Sequence, residues 1–218
     1  MWPLPKVSNE SITCICTPQA ISLSHLQPKK GKVFLNAYQR IAFSNAELEY
    51  SLVCNPTRIR NIIGEFSEQY SPNAPVSIAV SGPSVHEKIT TTNTKANNTR
   101  SIATYLYTHN QAAVYYTTYI SPALLMQYQL MAITKKINVP VITTPFLAQL
   151  TLYQTVHDSA FRHTQLAQDL RTNNHRIEHC FTQDIIPRLA TISSALTFDL
   201  ANERDFLLSS LGLFYTRR

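Results

Sequence analysis

The chain has 218 residues, enough to bury a core of ordinary size as one domain or as two small lobes. Hydrophobic residues make up 44% and charged residues only 15%, so the polar surface falls to Thr, Ser, Asn and Gln, is weakly defended against association, and predicts a permanent partner or a homo-oligomer. The formal charge of +6 is carried in small groups (Lys29, Lys30 and Lys32; Lys135 and Lys136; Arg217 and Arg218) rather than in a long stripe, which argues against direct nucleic-acid binding.

Met1-Trp2-Pro3-Leu4-Pro5-Lys6 has no apolar core of the kind a secretory signal needs, so a cytoplasmic protein is expected. No segment approaches the roughly 18 to 20 apolar residues required to span a bilayer, which leaves membrane attachment to a partner. Ile12 to Leu26 alternates as two strands around Thr17-Pro18-Gln19-Ala20. That turn holds neither glycine nor carboxylate, whereas cradling a phosphate asks for glycines for close backbone approach and an acid to hold Mg²⁺. The four glycines (Gly31, Gly64, Gly82, Gly212) are isolated and no aspartate precedes Asp158, which argues against a phosphate-transfer enzyme and predicts no cofactor. Gln27 to Lys32 reads as a polar turn, and Val33 to Phe43 completes a three-stranded meander.

Asn55-Pro56 opens a helix, with Asn as cap and Pro at the first helical position, whose apolar face is Ile59, Ile62, Ile63, Phe66 and Tyr70. Ser71 to Pro75 stops it, and Val76 to Val80 reads as a short buried strand before a turn at Gly82-Pro83-Ser84. The Thr, Asn and Lys run from Thr90 to Arg100 cannot bury apolar area and predicts an exposed loop whose deletion is tolerated. Ala112 to Ile120 is a strand by composition, and Ser121-Pro122 starts a helix carrying Leu124, Leu125, Tyr128, Met131 and Ala132, closed by Lys135 and Lys136. Val139 to Thr143 is another strand. From Pro145 onward the pattern is helical, with Leu166, Leu170, Ile177 and Phe181 at rough helical spacing, Pro187 as an interruption, and a terminal stripe at Phe206, Leu207, Leu208, Leu211 and Phe214.

This order of elements resembles actin-like proteins of the PilM family and its shorter HofM-like relatives, which are components of type IV pilus and DNA-uptake machines. The resemblance runs over roughly the first 155 residues. It is carried by Val76-Ser77-Ile78-Ala79-Val80-Ser81-Gly82-Pro83-Ser84-Val85 before the basic Lys88, by the run Leu124 to Thr144, and by the closing Phe206-Leu207-Leu208-Ser209-Ser210-Leu211-Gly212-Leu213. It implies an α/β fold: a truncated actin-like (ribonuclease H-like) lobe over 1–72 and 145–218, with an inserted small α/β subdomain over 73–144 and a helical C-terminal region. Nucleotide-binding relatives carry Asp-x-Gly loops. Here the first aligned loop is Cys16-Thr17-Pro18-Gln19-Ala20, nothing between His157 and Ala195 resembles the second, and the residues after the insertion are too few for a whole second lobe. The resemblance therefore implies a nucleotide-free, non-enzymatic scaffold. Its groove would accept the cytoplasmic N-terminal tail of a PilN-like single-pass inner-membrane protein, with Ser81, Pro83, Val85 and Lys88 as groove-edge candidates because they match the family segment.

Other constellations have plainer readings. His175-Arg176-Ile177-Glu178-His179 would place two imidazoles one turn apart on a helix, as in an inverted zinc-protease motif; surface histidines on a solvated helix are the alternative. Ser81 or Ser84 near His86 lacks a nucleophile elbow and a nearby aspartate. Tyr105, Tyr107, Tyr115, Tyr116 and Tyr119 could stack bases, but no Lys or Arg is interleaved, which favours packing. Cys14, Cys16, Cys54 and Cys180 read as reduced, buried thiols, with Cys14 and Cys16 on one face of a strand. A basic nucleic-acid-binding protein of an uptake system and a zinc enzyme are the rival functions.

Overall fold

The hairpin that opens the chain forms the middle of the fold in the computed structural model, which describes residues 10–43, 48–49, 52–53, 56–83, 85–91, 101–135, 137–157 and 162–216. Expectations for residues 1–9, Cys54, Asn55, Ser84, the run over 92–100, Lys136 and residues 217–218 lie outside the described residues. Strands β1 (Ser11–Cys16), β2 (Ala20–Lys29) and β3 (Lys32–Ala42) form the expected antiparallel meander. The polar turn expected over Gln27 to Lys32 shrinks to Lys30-Gly31, at φ 51° and 78°, because pairing continues to Lys29 opposite Lys32. Positive φ at both turn residues matches the right-handed twist of the flanking strands.

After the two-residue strands β4 (Leu48–Glu49) and β5 (Leu52–Val53), helix α1 (Pro56–Tyr70) buries Ile59, Ile63 and Phe66 as its period predicts. Tyr70, placed on that face by sequence, ends the helix 41% exposed, its ring 4.7 Å from that of Phe66. Strand β6 (Val76–Val80) is buried throughout and runs parallel to β1.

Next comes a separate three-stranded antiparallel sheet in the order β7-β9-β8, made of β7 (Val85–Thr90), β8 (Ser101–His109) and β9 (Ala112–Ile120). Helix α2 (Pro122–Lys135) is capped by Ser121, whose hydroxyl accepts from Leu124 N at 3.2 Å, and the chain re-enters the main sheet as β10 (Val141–Thr143), parallel to β6. Among the described residues the inserted sheet is therefore all β, over 85–91 and 101–120. Within the expected 73–144 unit, β6 and β10 instead pair in the main sheet and α2 packs on α1. The short strand β6 needs parallel neighbours on both edges to satisfy its backbone, and β1 and β10 supply them.

The remainder is α3 (Pro145–Val156), α4 (Arg162–Thr172), a 3₁₀ turn (Ile177–Cys180), α5 (Ile185–Leu189), β11 (Ala190–Ile192) and α6 (Arg204–Thr216). The helical pattern of this region gives no sign of strand β11, which pairs parallel to β3 and extends the main sheet to the order β10-β6-β1-β2-β3-β11. Pro187 sits inside the first turn of α5, where its missing N–H costs nothing.

Helices α1 and α2 cover one face of this sheet, meeting Ile12, Cys14 and Cys16. Helices α3 and α6 cover the other, meeting Ile15 and Ala79. With both faces covered, all six residues of β1 are buried. The Cys14 and Cys16 sulfurs lie 3.6 Å apart as free thiols, and burial holds the Cys14 thiol well above its ordinary pKa. The expected amphipathic stripe on α6 is instead a helix buried all round from Phe206 to Tyr215. Its Ser209, Ser210 and Gly212 are small enough to lie against the sheet and α3 while the larger residues fill the core.

Candidate functional site

The turn between β1 and β2 satisfies its own backbone. The Thr17 hydroxyl accepts hydrogen bonds from Gln19 N at 3.3 Å and Ala20 N at 3.1 Å, and Thr17 N donates to Ala20 O at 2.9 Å. Gln19 O accepts from Phe43 N at 2.7 Å. The amides that a phosphate-binding hairpin would aim at its ligand are thus turned inward on a threonine side chain, an arrangement typical of Ser and Thr in turns.

This turn borders a groove of about 430 Å³, within the usual range for ligand sites. Its lining includes Ile15, Ala20 and Ser22 of the hairpin and Arg40 of β3. Pro145, Phe146 and Gln149 of α3, Glu87 of the inserted sheet, and residues from 175–178 and 202–209 complete it. The elements that meet here are far apart in the chain: β1, β7, α3 and the start of α6.

The groove is rich in carboxylates. Glu87, Glu178, Glu203 and Asp205 line it against Arg40 and Arg176. Arg40 Nη1 donates to Glu203 Oε1 at 2.8 Å, and that bond is the largest cause of a raised Arg40 pKa. The neighbouring Arg204 gives one Nη to Glu178 O and the other to Phe181 O, each at 2.8 Å, and so pins the 3₁₀ turn to α6. Glu87 accepts from the Tyr116 hydroxyl; burial first, then the Glu87 charge, pushes that phenol far above its ordinary pKa and keeps it a donor. Gln149 is 4% exposed, and its Nε2 donates to Asp205 O at 3.2 Å and to Ser209 Oγ at 2.9 Å. Its Oε1 is a buried acceptor with no hydrogen-bond partner among the described residues.

None of Ser81, Pro83, Val85 and Lys88 lines this groove; their segment contributes Glu87 instead. Strand alternation explains Lys88, which points to the opposite face of β7 and is exposed. Val85 is 8% exposed within the core under α1 and α2, Ser81 N donates to Cys16 O at 2.9 Å, and Pro83 sits on an exposed turn. Composition gives no signal for Glu87, Gln149 or Glu203, which become neighbours only through the fold.

The His-x-x-Glu-His segment does not lie on one helix. Asn174 and His175 take φ of 51° and 62° after α4, and His175 N reaches back to Leu170 O at 2.5 Å. His175 is thus part of the left-handed kink itself, while His179 follows it in the 3₁₀ turn. Among the described residues no three His, Cys, Asp or Glu side chains form a metal-ligand group. The tyrosine run divides between two faces, by strand parity on β9 and by a register shift between Tyr105 and Tyr107 on β8: Tyr107 and Tyr116 are core, with Tyr116 stacked on Phe146 at 4.1 Å between ring centroids, while Tyr105 pairs edge-on with Tyr115. Two of the three clustered lysines serve local packing, Lys29 over the Phe34 ring at 5.5 Å and Lys32 as a donor to Pro187 O at 2.7 Å. Among the described residues no helix is long and apolar enough to cross a membrane.

No protein-family model and no curated protein matches the chain. Solved structures do. The PilM-PilN type IV pilus biogenesis complex aligns at a TM-score of 0.52 and 12% identity, over 67% of this chain and 51% of that chain. The cytoplasmic domain of EpsL, an inner membrane component of the type II secretion system of Vibrio cholerae, aligns at 0.42 and 10%, over 64% and 57% respectively. A Bacteroides thetaiotaomicron protein with an actin-like ATPase fold and unknown function aligns at 0.35 and 12%, over 70% and 59%. The chain thus spans between 51% and 59% of the length of these structures. The alignment with the PilM-PilN complex shows the fold: an actin-like α/β lobe, in agreement with the order of elements in the sequence.

Proposed function

We propose that the chain is a non-enzymatic scaffold of a type IV pilus, competence or related secretion machine, and that its groove holds an extended segment from the cytoplasmic N-terminal tail of a PilN-like inner-membrane protein. On this reading the protein is peripheral to the inner membrane through that partner and works as a pseudo-ATPase. The observation that carries the reading is the self-satisfied Thr17 turn opening on a carboxylate-lined groove. At the place where an actin-like lobe would meet nucleotide phosphates, the backbone amides are occupied and the surrounding charge repels a polyanion. What remains suits peptide capture: apolar contacts from Ile15, Ala20 and Phe146, and polar groups that can bond an extended main chain. The likeness to a structure of PilM with PilN supports the same partner class.

Titrating the full chain with a fluorescent peptide of the N-terminal tail of the membrane protein encoded beside it tests the reading. Saturable one-to-one binding is expected, and absence of binding would remove the core of the proposal. Mg-ATP should leave the melting temperature unchanged; a saturable upward shift would show that nucleotide binding survives and would refute the pseudo-ATPase reading.

A further inference from the structure

If the groove docks a peptide, as proposed, its chemistry specifies more than an extended segment. The lining acids Glu87, Glu178, Glu203 and Asp205 outnumber Arg40 and Arg176, and Arg40 is already committed to Glu203 at 2.8 Å. Arg204, although adjacent, spends its guanidinium on two backbone carbonyls. The excess negative charge is therefore not balanced from within the groove. Asp205 O accepts from Gln149 Nε2 and so fixes which end of the amide is which, leaving Oε1 as an acceptor without a partner among the described residues, in a side chain that is 4% exposed. A buried acceptor beside unbalanced carboxylates asks for a donor that is also a cation.

We propose that the groove reads a basic side chain, arginine or lysine, on the peptide it holds, with Gln149 Oε1 accepting from the cation and Glu203 and Asp205 supplying the opposing charge. The apolar walls at Ile15 and Phe146 take the flanking residues. The basic residue then sets the register of an otherwise sequence-tolerant extended chain.

The test uses the full-length chain and a random octapeptide library panned at low salt, with the recovered peptides synthesised and titrated singly. Recovered peptides should share one Lys or Arg between apolar residues. Replacing it with citrulline or norleucine should weaken binding at least tenfold, and affinity should fall as salt rises. Gln149→Leu should weaken the basic peptides about tenfold and Glu203→Gln several-fold. Arg40→Gln, which releases Glu203 from its partner at an exposed position, should tighten them several-fold, a gain that misfolding cannot produce. Peptides recovered without a basic residue, or basic peptides indifferent to citrulline and to Arg40→Gln, would overturn this inference and leave peptide docking standing. Failure to recover any peptide would overturn both. A DNA oligonucleotide that competes for the groove would also overturn it, in favour of a polyanionic occupant.

Discussion

Gly212 offers the sharpest test of how the core is built. A Cβ at this position would lie 1.9 Å from Ala148 O, 2.3 Å from Ala148 C and 3.1 Å from Ala148 Cα, so α6 crosses α3 with no room for a methyl group. The obstructing atoms are helix backbone, which cannot rotate aside. Relief requires the two helices to part by roughly 1 Å in a region where Ala148, Leu211 and Leu213 are all fully buried. Overpacking of this kind costs about 1 to 3 kcal/mol and at times more. Alanine is favoured over glycine in a helix interior by about 1 kcal/mol, which offsets part of that cost. With a close approach to backbone, the upper end of the overpacking range applies, and Gly212→Ala should lose about 2 kcal/mol net. For a domain of this size that is a drop of about 4 to 8 °C in melting temperature, with a lower urea midpoint by circular dichroism at unchanged slope. The control is Ser210→Ala in the same helix, where a buried hydroxyl has no hydrogen-bond partner among the described residues, so its loss should be neutral or stabilising. If Gly212→Ala melts at or above the wild-type temperature, the close α3 to α6 crossing is wrong.

Other contacts give three more expected outcomes. Burial lowers the pKa of His157, against a smaller opposing pull from Asp169, so the fold favours its neutral form. Stability from this source is fully present above the ordinary value of 6.5 and is lost as pH falls from there through the lowered folded value; His157→Gln should flatten urea midpoints measured between about pH 7 and pH 5, and an unflattened slope would remove His157 as the cause. The β8 to β9 turn holds Asn110 and Gln111 at φ 48° and 62°. Gln111→Gly should therefore stabilise the chain by about 1 kcal/mol in the same assay, because glycine takes this conformation without strain. Tyr153 OH donates to Asp169 Oδ2 at 2.8 Å, while Gln165 Nε2 donates to the other oxygen. Tyr153→Phe should cost about 1.5 to 3 kcal/mol, the range for a hydrogen bond to a charged group, and an equal cost in an Asp169→Asn background would show that the charge plays no part.

Local signals in the chain mark the elements whose residues carry their own period or punctuation. The meander shows in alternation on both sides of Thr17-Pro18, α1 in its apolar spacing, and α2 in Ser121-Pro122. Strands β7 and β8 escape notice because half of β7 is charged or polar and exposed and the β8 turn contains no glycine, so neither composition nor punctuation announces them. Strand β11 is three residues long and is held by pairing with β3, a partner most of the chain away, so no local window could contain it. The His-x-x-Glu-His segment illustrates the opposite error: a spacing that is meaningful on a helix falls where two left-handed residues break the path.

The groove is the least legible feature. Its family segment points to Ser81, Pro83, Val85 and Lys88, but of β7 only Glu87 lines the groove, Lys88 lying on the opposite face of the strand and Val85 in the core, and Gln149, Glu203 and Arg40 arrive from α3, the residue before α6, and β3. By itself the sequence determined the class of fold, the order of most elements and a first turn without phosphate chemistry, because those depend on nearest-neighbour stereochemistry and on which residues are present at all. Tertiary structure alone decided which strands share a sheet, that α6 is buried on every side, and which charges face one another. Each of these depends on distances between residues remote in the chain, set by how small side chains such as Gly212 let whole elements approach.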